Sequence, residues 1–197
     1  PYFNKQSASV LIGKKSKNLD KKIARLIEIG YLNVLKKGLY VSSVYVERVE
    51  KESYLEFISN ILRTPSYISA EYVLSRRGII PEVVYSVTSI TNKTSRRFTN
   101  FMGSFIYKNI KDVLFTGFEE INWGDNTINI ATTGKALFDF FYLKKVDSIK
   151  EGVFDSRINF ENLNKKDLIE FKKYVKISGS IKMKKIFEEL EKQYANR

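Results

Sequence analysis

Three cations recur at helical spacing near the start of the chain. Lys17, Lys21 and Arg25 stand four residues apart, so on an α-helix they form one row, and Lys22 lies beside it. Lysine and arginine in such a row can neutralise the phosphates of a nucleic acid. An ordinary solvated helix face shows the same pattern, so this row alone leaves both interpretations open.

A second pair of cations, Lys36 and Lys37, directly precedes Gly38. Taken by itself, this pair is better explained by a solvated turn. Its position adds weight, because residues 1–43 hold nine Lys or Arg against two acids, whereas the whole chain holds 34 against 22. Positive charge is therefore concentrated in the first fifth of the chain. Together, the row and the pair favour binding to a nucleic acid.

Few side chains are available for catalysis. The 197 residues include no histidine and no cysteine, which excludes imidazole bases, thiolate nucleophiles and disulfides. The acids Glu119, Glu120 and Asp125, close to Trp123, are the kind of group that a metal-dependent nuclease uses. We expect them in a loop between strands, and no further acid stands at a supporting spacing. With no Gly-rich phosphate loop either, the sequence predicts a protein that is not an enzyme and that holds no cofactor or metal.

Two helices and a hairpin are expected to position the basic residues. The first predicted helix spans 4–12, and the second contains the cation row and ends at Gly30. Apolar residues of the second helix follow the spacing of one buried stripe. They are Leu19, Ile23, Leu26 and Ile27. Strands at 31–35 and 39–42 then form a hairpin around the Lys-Lys-Gly tip.

This order of elements is typical of a winged helix-turn-helix domain. In such a domain the helix before the hairpin enters the major groove, and the hairpin, called the wing, contacts the flanking backbone. A winged helix normally has one more helix at its start. Because the chain opens on Pro1 without an initiator Met, we expect that first helix to lie upstream of Pro1.

The rest of the chain mixes helical and strand patterns without a repeat. Expected helices lie at 53–63, 66–77, 133–143, 164–175 and 180–194, and expected strands at 83–91, 101–110, 113–118 and 127–131. The predicted fold class is α+β. We assign 1–43 to the winged helix-turn-helix domain, 44–64 to a connecting helix and linker, and 65–197 to a mixed α+β domain.

The second domain carries further cations that could meet a partner. Lys93, Arg96 and Arg97 belong to the stretch NKTSRR, which we expect to be a loop that contacts DNA or an acidic protein surface. A solvated turn is an equally good account of this stretch. Lys135 and Asp139 stand four residues apart on an apolar helix, where an exposed ion pair is the simplest interpretation.

Four segments in order carry a resemblance to a known family. They are PSYISAEYVLSRRGIIPE, VYSVTSITNKTSRRF, GSFIYKNIK and IATTGKALFDFFYL. In this order they resemble the AbiEi family of abortive-infection antitoxins, over residues 3 to about 175. One departure is present: where the family usually reads Pro-Glu-Lys-Ala-Leu, this chain has Thr133 and Gly134 before Lys-Ala-Leu.

The resemblance implies an antitoxin of a type IV toxin-antitoxin system. Such a protein represses its own operon through the winged helix, typically at inverted repeats of double-stranded operator DNA. It counters an AbiEii-like nucleotidyltransferase toxin, encoded beside it, through the C-terminal domain. We expect a cytoplasmic protein, because no apolar run approaches the roughly 20 residues of a membrane span.

The candidate contacts form two sets. The predicted DNA-binding residues are Lys14, Lys15, Lys17, Lys21, Lys22, Arg25, Lys36 and Lys37. The residues that could contact DNA or the toxin a second time are Lys93, Arg96, Arg97 and Lys135. Two other functions stay open: a winged-helix regulator whose second domain senses a small ligand, and an accessory protein that binds only a protein partner.

Overall fold

The computed structural model describes residues 2–13, 16–145 and 148–196. The chain has a mixed α+β fold with 50% helix and 23% strand, and its described strands form two sheets. The α+β prediction is confirmed at this level. No helix in the described ranges is both long and apolar enough to cross a bilayer.

The N-terminal region begins with a short strand and two helices, followed by a hairpin. Its elements are β1 (Phe3–Asn4), α1 (Lys5–Ile12), α2 (Ser16–Glu28), β2 (Leu32–Lys36) and β3 (Leu39–Ser42). The Asn4 side chain caps α1 by accepting a hydrogen bond of 2.9 Å from the Ser7 amide. Gly30, which follows α2, has a φ of 77°, a conformation that glycine adopts without strain. The two predicted helices and the hairpin are therefore present.

A three-stranded antiparallel sheet joins these elements in the order β1-β3-β2. Phe3 of β1 lies opposite Tyr40 of β3, so the strand before α1 pairs with the second strand of the hairpin. Ala8, Leu19 and Ile23 are buried together between the helices and this sheet. The predicted stripe of α2 thus faces the core through its first two members, while Leu26 and Ile27 are half-buried.

The connecting segment is part of the core of the protein. It contains α3 (Ser43–Arg48) and α4 (Lys51–Leu62). In α4 the side chains of Tyr54, Phe57 and Ile58 are buried, and they belong to one apolar cluster with Leu35 and Leu39 of the hairpin. The domain boundaries at 43 and 64 stay a prediction, but apolar contacts cross them.

A larger sheet forms the centre of the remaining chain. Its strands are β4 (Tyr67–Ile68), β5 (Val87–Thr91), β6 (Arg96–Asn100), β7 (Gly103–Asn109), β8 (Phe118–Trp123) and β9 (Asn126–Ala131). The spatial order is β6-β7-β5-β4-β9-β8, with parallel pairing in β5–β7 and β4–β9 and antiparallel pairing elsewhere. β6 and β8 are therefore the edge strands.

Helices complete the fold around this sheet. They are α5 (Ala70–Arg76), α6 (Thr133–Leu143), α7 (Ile149–Phe154), α8 (Lys165–Ser178) and α9 (Ile181–Ala195). Asn164 and Asp167 form a reciprocal capping box at the start of α8, and Ser180 caps α9. The helices predicted at 133–143, 164–175 and 180–194 are confirmed, the first of them with both of its ends.

Three predictions of local structure are wrong. Tyr67 and Ile68 form β4 instead of opening the helix expected at 66–77, and α5 begins only at Ala70. Residues 113–117 are not a strand, because a 3-10 turn at Asp112–Leu114 occupies this stretch and β8 begins at Phe118. The predicted strand at 83–91 is shorter, and Val83 lies exposed outside it.

Candidate nucleic-acid interface

The exposed side of α2 presents cations. Lys21, Lys22 and Arg25 are solvent-exposed, whereas Leu19 and Ile23 on the other side of the helix are buried. This division follows from the helical repeat, since residues four apart share a face. These three side chains, which were predicted to read nucleic acid, are thus accessible over little more than one turn of α2.

Part of the predicted set lies outside the described residues. This holds for Lys14 and Lys15, and for the side chain of Lys17, whose backbone lies in the first turn of α2. Asp20 is the acid inside the row. Its carboxylate lies 2.6 Å from the Lys5 ammonium of α1, so the acid is neutralised by a cation outside the row.

The two cations of the hairpin tip differ in their surroundings. Lys37 is exposed in the turn. Lys36 is half-buried, its ammonium donates a 2.7 Å hydrogen bond to the carbonyl of Leu62 at the end of α4, and it lies 5.9 Å from the ring centroid of Phe98. Burial lowers the pKa of Lys36, and the positive charge of Arg63 and Arg96 lowers this pKa further. Lys37 alone is free to act as a simple exposed phosphate contact.

Arg96 and Arg97 lie in the edge strand β6, so the prediction that they belong to a loop is wrong. The loop ends earlier because 96–100 pair in register with β7. As successive strand residues, the two arginines lie on opposite faces of the sheet. Arg96 shares its face with Phe98, whose ring lies 5.9 Å from the guanidinium carbon. Lys93 does lie in the loop, and its ammonium donates a 2.6 Å hydrogen bond to the carbonyl of Thr64.

The hairpin tip and the larger sheet meet at a cleft of about 400 Å³. We call it the basic cleft, and its cationic lining residues are Lys36, Lys37, Arg63, Lys93 and Arg96. Asn100 of β6 donates a 3.0 Å hydrogen bond to the carbonyl of Leu35, which fixes the hairpin against this edge of the sheet. Three stretches that lie far apart in the sequence are therefore brought together: the hairpin tip, the end of α4 and the residues from Lys93 to Phe98.

Sequence reasoning missed Arg63, which ends the connecting helix. Its guanidinium donates a 3.0 Å hydrogen bond to the Thr94 hydroxyl, and its Nε atom is buried without a hydrogen-bond partner. The available signal was weak: a cation just before Thr64 and Pro65, where the helix must end. Nothing in the spacing indicates that this cation meets a loop 30 residues later.

Lys135 and Asp139 are an ion pair in the protein interior, so the expectation of an exposed pair is wrong. Both side chains have no exposed surface, and the ammonium lies 2.6 Å from the carboxylate. Asp139 also accepts hydrogen bonds from Tyr67 and Ser69 at 3.0 and 2.8 Å. In this conformation Lys135 has no access to DNA or to a partner protein.

The acids considered for metal binding are also placed differently. Glu119 and Glu120 lie in β8, not in a loop, because this stretch pairs with β9. Neighbouring strand residues alternate between faces, so the two carboxylates do not converge. Across 2–13, 16–145 and 148–196, no group of three or more acidic side chains is placed to hold a metal ion.

No model of a protein family matches this chain, and no curated protein is similar enough to count as a relative.

Proposed function

We propose that this protein is a DNA-binding repressor with a winged helix-turn-helix at its N-terminus. The observation that carries the proposal is the accessible cation row on α2, on the side opposite the stripe that the helix buries. A major groove admits a helix of this kind, and its phosphates attract the cations on the helix flanks. The basic hairpin follows α2 directly, as a wing does.

The strand pairing supports the same assignment. Because β1 pairs with β3, the entrance to α1 is tied to the hairpin that follows α2. The two helices and the hairpin are then held as one small unit, with Ala8, Leu19 and Ile23 as its core. A DNA-reading helix needs this support, since a base contact requires a fixed orientation of the helix.

We also propose the second half of the function, that of a cytoplasmic type IV antitoxin. This part rests on the resemblance of the four segments to the AbiEi family. The partner would be an AbiEii-like nucleotidyltransferase toxin, and the α+β region would counter it. Co-purification of such a toxin with this chain, and rescue of cells that express the toxin, would test this half.

Salt dependence of DNA binding tests the repressor directly. If six side chains of α2 and the hairpin neutralise phosphates, log K should fall with log salt at a slope of about −5 per monomer. The DNA would be the promoter of the chain's own operon, with a scrambled duplex for comparison. A slope near zero would show that the basic face does not bind DNA and would favour an accessory protein that binds only a protein partner.

A matched pair of variants localises the effect. We expect the triple change Lys21→Gln, Lys22→Gln and Arg25→Gln to weaken promoter binding and to reduce the slope by about 3. The control removes the same charge from α8 and α9, through changes to Gln at three exposed lysines. They are Lys165, Lys166 and Lys185. Equal losses in both variants would mean that net charge, not α2, drives binding.

A groove between the connecting helices and the larger domain favours one alternative, a regulator that senses a small ligand. Its volume of about 580 Å³ lies in the range of ligand pockets, and apolar side chains such as Leu55, Phe101 and Met102 contribute to its lining. A ligand in this groove should change promoter affinity, and Met102→Lys should abolish that change. A small-molecule screen that finds no such ligand would leave the repressor and antitoxin as the better account.

A further inference from the structure

The basic cleft carries positive charge that no acidic side chain in the described part of the chain neutralises. Five cations from the hairpin tip, the end of α4 and the β5–β6 region line it, and no acid is among its lining residues. None of the five forms an ion pair with any described residue. Like charges gathered in one place repel each other, so this arrangement costs free energy unless an anion is bound.

The cations retain donors that the protein leaves unused. Lys36 and Lys93 each donate one hydrogen bond to a backbone carbonyl, at 2.7 and 2.6 Å, and an ammonium carries three donors. Arg63 keeps a buried Nε atom without a partner. Lys37 and Arg96 are exposed. An occupant with several acceptor oxygens could bond to many of these groups at once.

A phosphate group fits these requirements. A backbone phosphodiester carries one negative charge on two unesterified oxygens, and arginine binds it through two parallel hydrogen bonds. A carboxylate on a protein surface offers the same number of oxygens, so the position of the cleft decides between the two. The position of the cleft, directly at the hairpin tip, places it where a wing contacts the backbone of DNA.

We propose that the basic cleft binds a backbone phosphate of the same DNA that α2 contacts, so that the hairpin tip and the larger domain hold this phosphate together. The proposal rests on the proposed DNA-binding function. It adds three cations outside the winged helix to the DNA-binding surface: Arg63 at the end of α4, and Lys93 and Arg96 of the α+β domain.

Arg96 and Arg97 provide a matched test in the full-length chain. They are consecutive in β6, both exposed, and only Arg96 lines the cleft. We expect Arg96→Gln to weaken binding to promoter and scrambled DNA alike, by about three- to tenfold, and to reduce the salt slope by about 1. Arg97 was predicted as a second contact together with Arg96, but it lies on the opposite face of β6 and does not line the cleft. Arg97→Gln, with the same loss of charge, should therefore leave both nearly unchanged. Equal effects of the two variants, or none from Arg96→Gln, would overturn the proposal.

A second measurement separates the cleft from the DNA-binding function. Inorganic phosphate should raise the melting temperature of the protein more than chloride does at the same ionic strength, because it binds only the folded cleft. Arg96→Gln should remove this difference, and Arg97→Gln should keep it. If phosphate stabilises the protein but the protein binds no DNA, the ligand of the cleft is a free phosphate compound and not the phosphate of a DNA backbone. The proposal would then be overturned. If the protein binds DNA and neither Arg96→Gln nor added phosphate changes that binding, the cleft is not a phosphate site. The proposed DNA-binding function would still stand.

Discussion

The buried pair of Lys135 and Asp139 shows how one residue's environment decides its role. Desolvation by burial raises the pKa of Asp139 and lowers the pKa of Lys135, so burial opposes charge on both. Their mutual attraction and the hydrogen bonds from Tyr67 and Ser69 act in the opposite direction. The pair ties α6 to β4 through a polar contact inside an apolar core.

Removing one partner should therefore cost stability. We expect Lys135→Met to reduce the free energy of unfolding by about 3–5 kcal/mol at neutral pH, because it leaves Asp139 without its cation in the interior. Chemical denaturation measures this value. Lys165→Met on the exposed start of α8 is the control and should change stability by less than about 0.5 kcal/mol.

The same variant should show a pH dependence of definite sign. Without Lys135, burial holds the folded pKa of Asp139 above its ordinary value of 3.8, so the folded state binds more protons than the unfolded state as pH rises past that value. Burial raises the pKa of Asp139 in the unchanged protein as well, so the deficit of the variant should grow as pH rises above that raised pKa and shrink below it. A deficit that is independent of pH would contradict a buried, uncompensated carboxylate.

The sequence did contain a signal for this burial. In TGKALFDFFYL, apolar residues surround Lys135 and Asp139 on every side of the helix, and a helix that is apolar all round is normally buried. Spacing by four residues suggested a surface pair instead. An ion pair four residues apart on a helix has the same spacing whether it is buried or exposed, so the spacing could not distinguish a buried pair from a surface pair.

At the scale of elements, α6 and α8 pack closely against each other at Gly134. A Cβ atom placed there would lie 2.5 Å from the carbonyl oxygen of Asp167 and 2.9 Å from the side chain of Glu170. A larger side chain at this position would therefore not fit between these two helices as they pack here.

We expect Gly134→Ala to destabilise the protein. Alanine would gain up to about 1 kcal/mol of helix propensity, but the overpacking against α8 should cost about 1–3 kcal/mol. Since the closest atom belongs to the backbone, a side-chain rotation cannot relieve the contact. Thermal unfolding would show a lower melting temperature, whereas a higher one would mean that α8 moves away freely.

Elements were predictable where local chemistry defines their ends. Helices α8 and α9 begin at side-chain caps, and α2 is followed by Gly30, so their ends can be read from the residues themselves. In contrast, β4 has two residues and exists because it pairs with β5 and β9, which come from later in the chain. β6 was not recognised as a strand because it begins with two arginines. Charged residues are typical of a protected edge strand, but in the sequence they resemble a polar loop.

At the scale of the whole molecule, the hairpin belongs to two structures. Its pairing with β1 ties it to α1 and α2, while Leu35, Leu39 and Val41 belong to the large core with α4. This second role could not be predicted from sequence, because the alternation of a hairpin indicates one buried face without saying what covers it. The same limit applies to the basic cleft, which depends on contacts between distant stretches.

One folding transition should follow from this shared core. Leu39→Ala should lower the free energy of unfolding by about 2–5 kcal/mol. The single tryptophan, Trp123, has its ring 5.1 Å from that of Phe57 in α4 and thus reports on the larger core. Trp123 fluorescence and far-ultraviolet circular dichroism should shift together in this variant. Separate transitions would show that the hairpin unfolds independently.

The proposed functions should be separable by charge, not by deletion. The triple change to Gln at Lys21, Lys22 and Arg25 should abolish repression of a promoter reporter, keep the melting temperature, and still rescue cells from the toxin. Removing 1–43 would expose the apolar partners of Leu35 and Leu39, so loss of rescue there would be ambiguous. Loss of rescue in the stable triple variant would contradict two separate functions.

The packing of the hairpin has a consequence for how DNA would be recognised. A flexible hairpin would lose conformational entropy when it binds a duplex, but here folding has already fixed the hairpin through Leu35, Leu39 and the Asn100 hydrogen bond. A rigid protein surface leaves the duplex to adapt its groove width and bend. Operator preference would then depend partly on base steps that no side chain touches, because those steps set the energy of deforming the DNA.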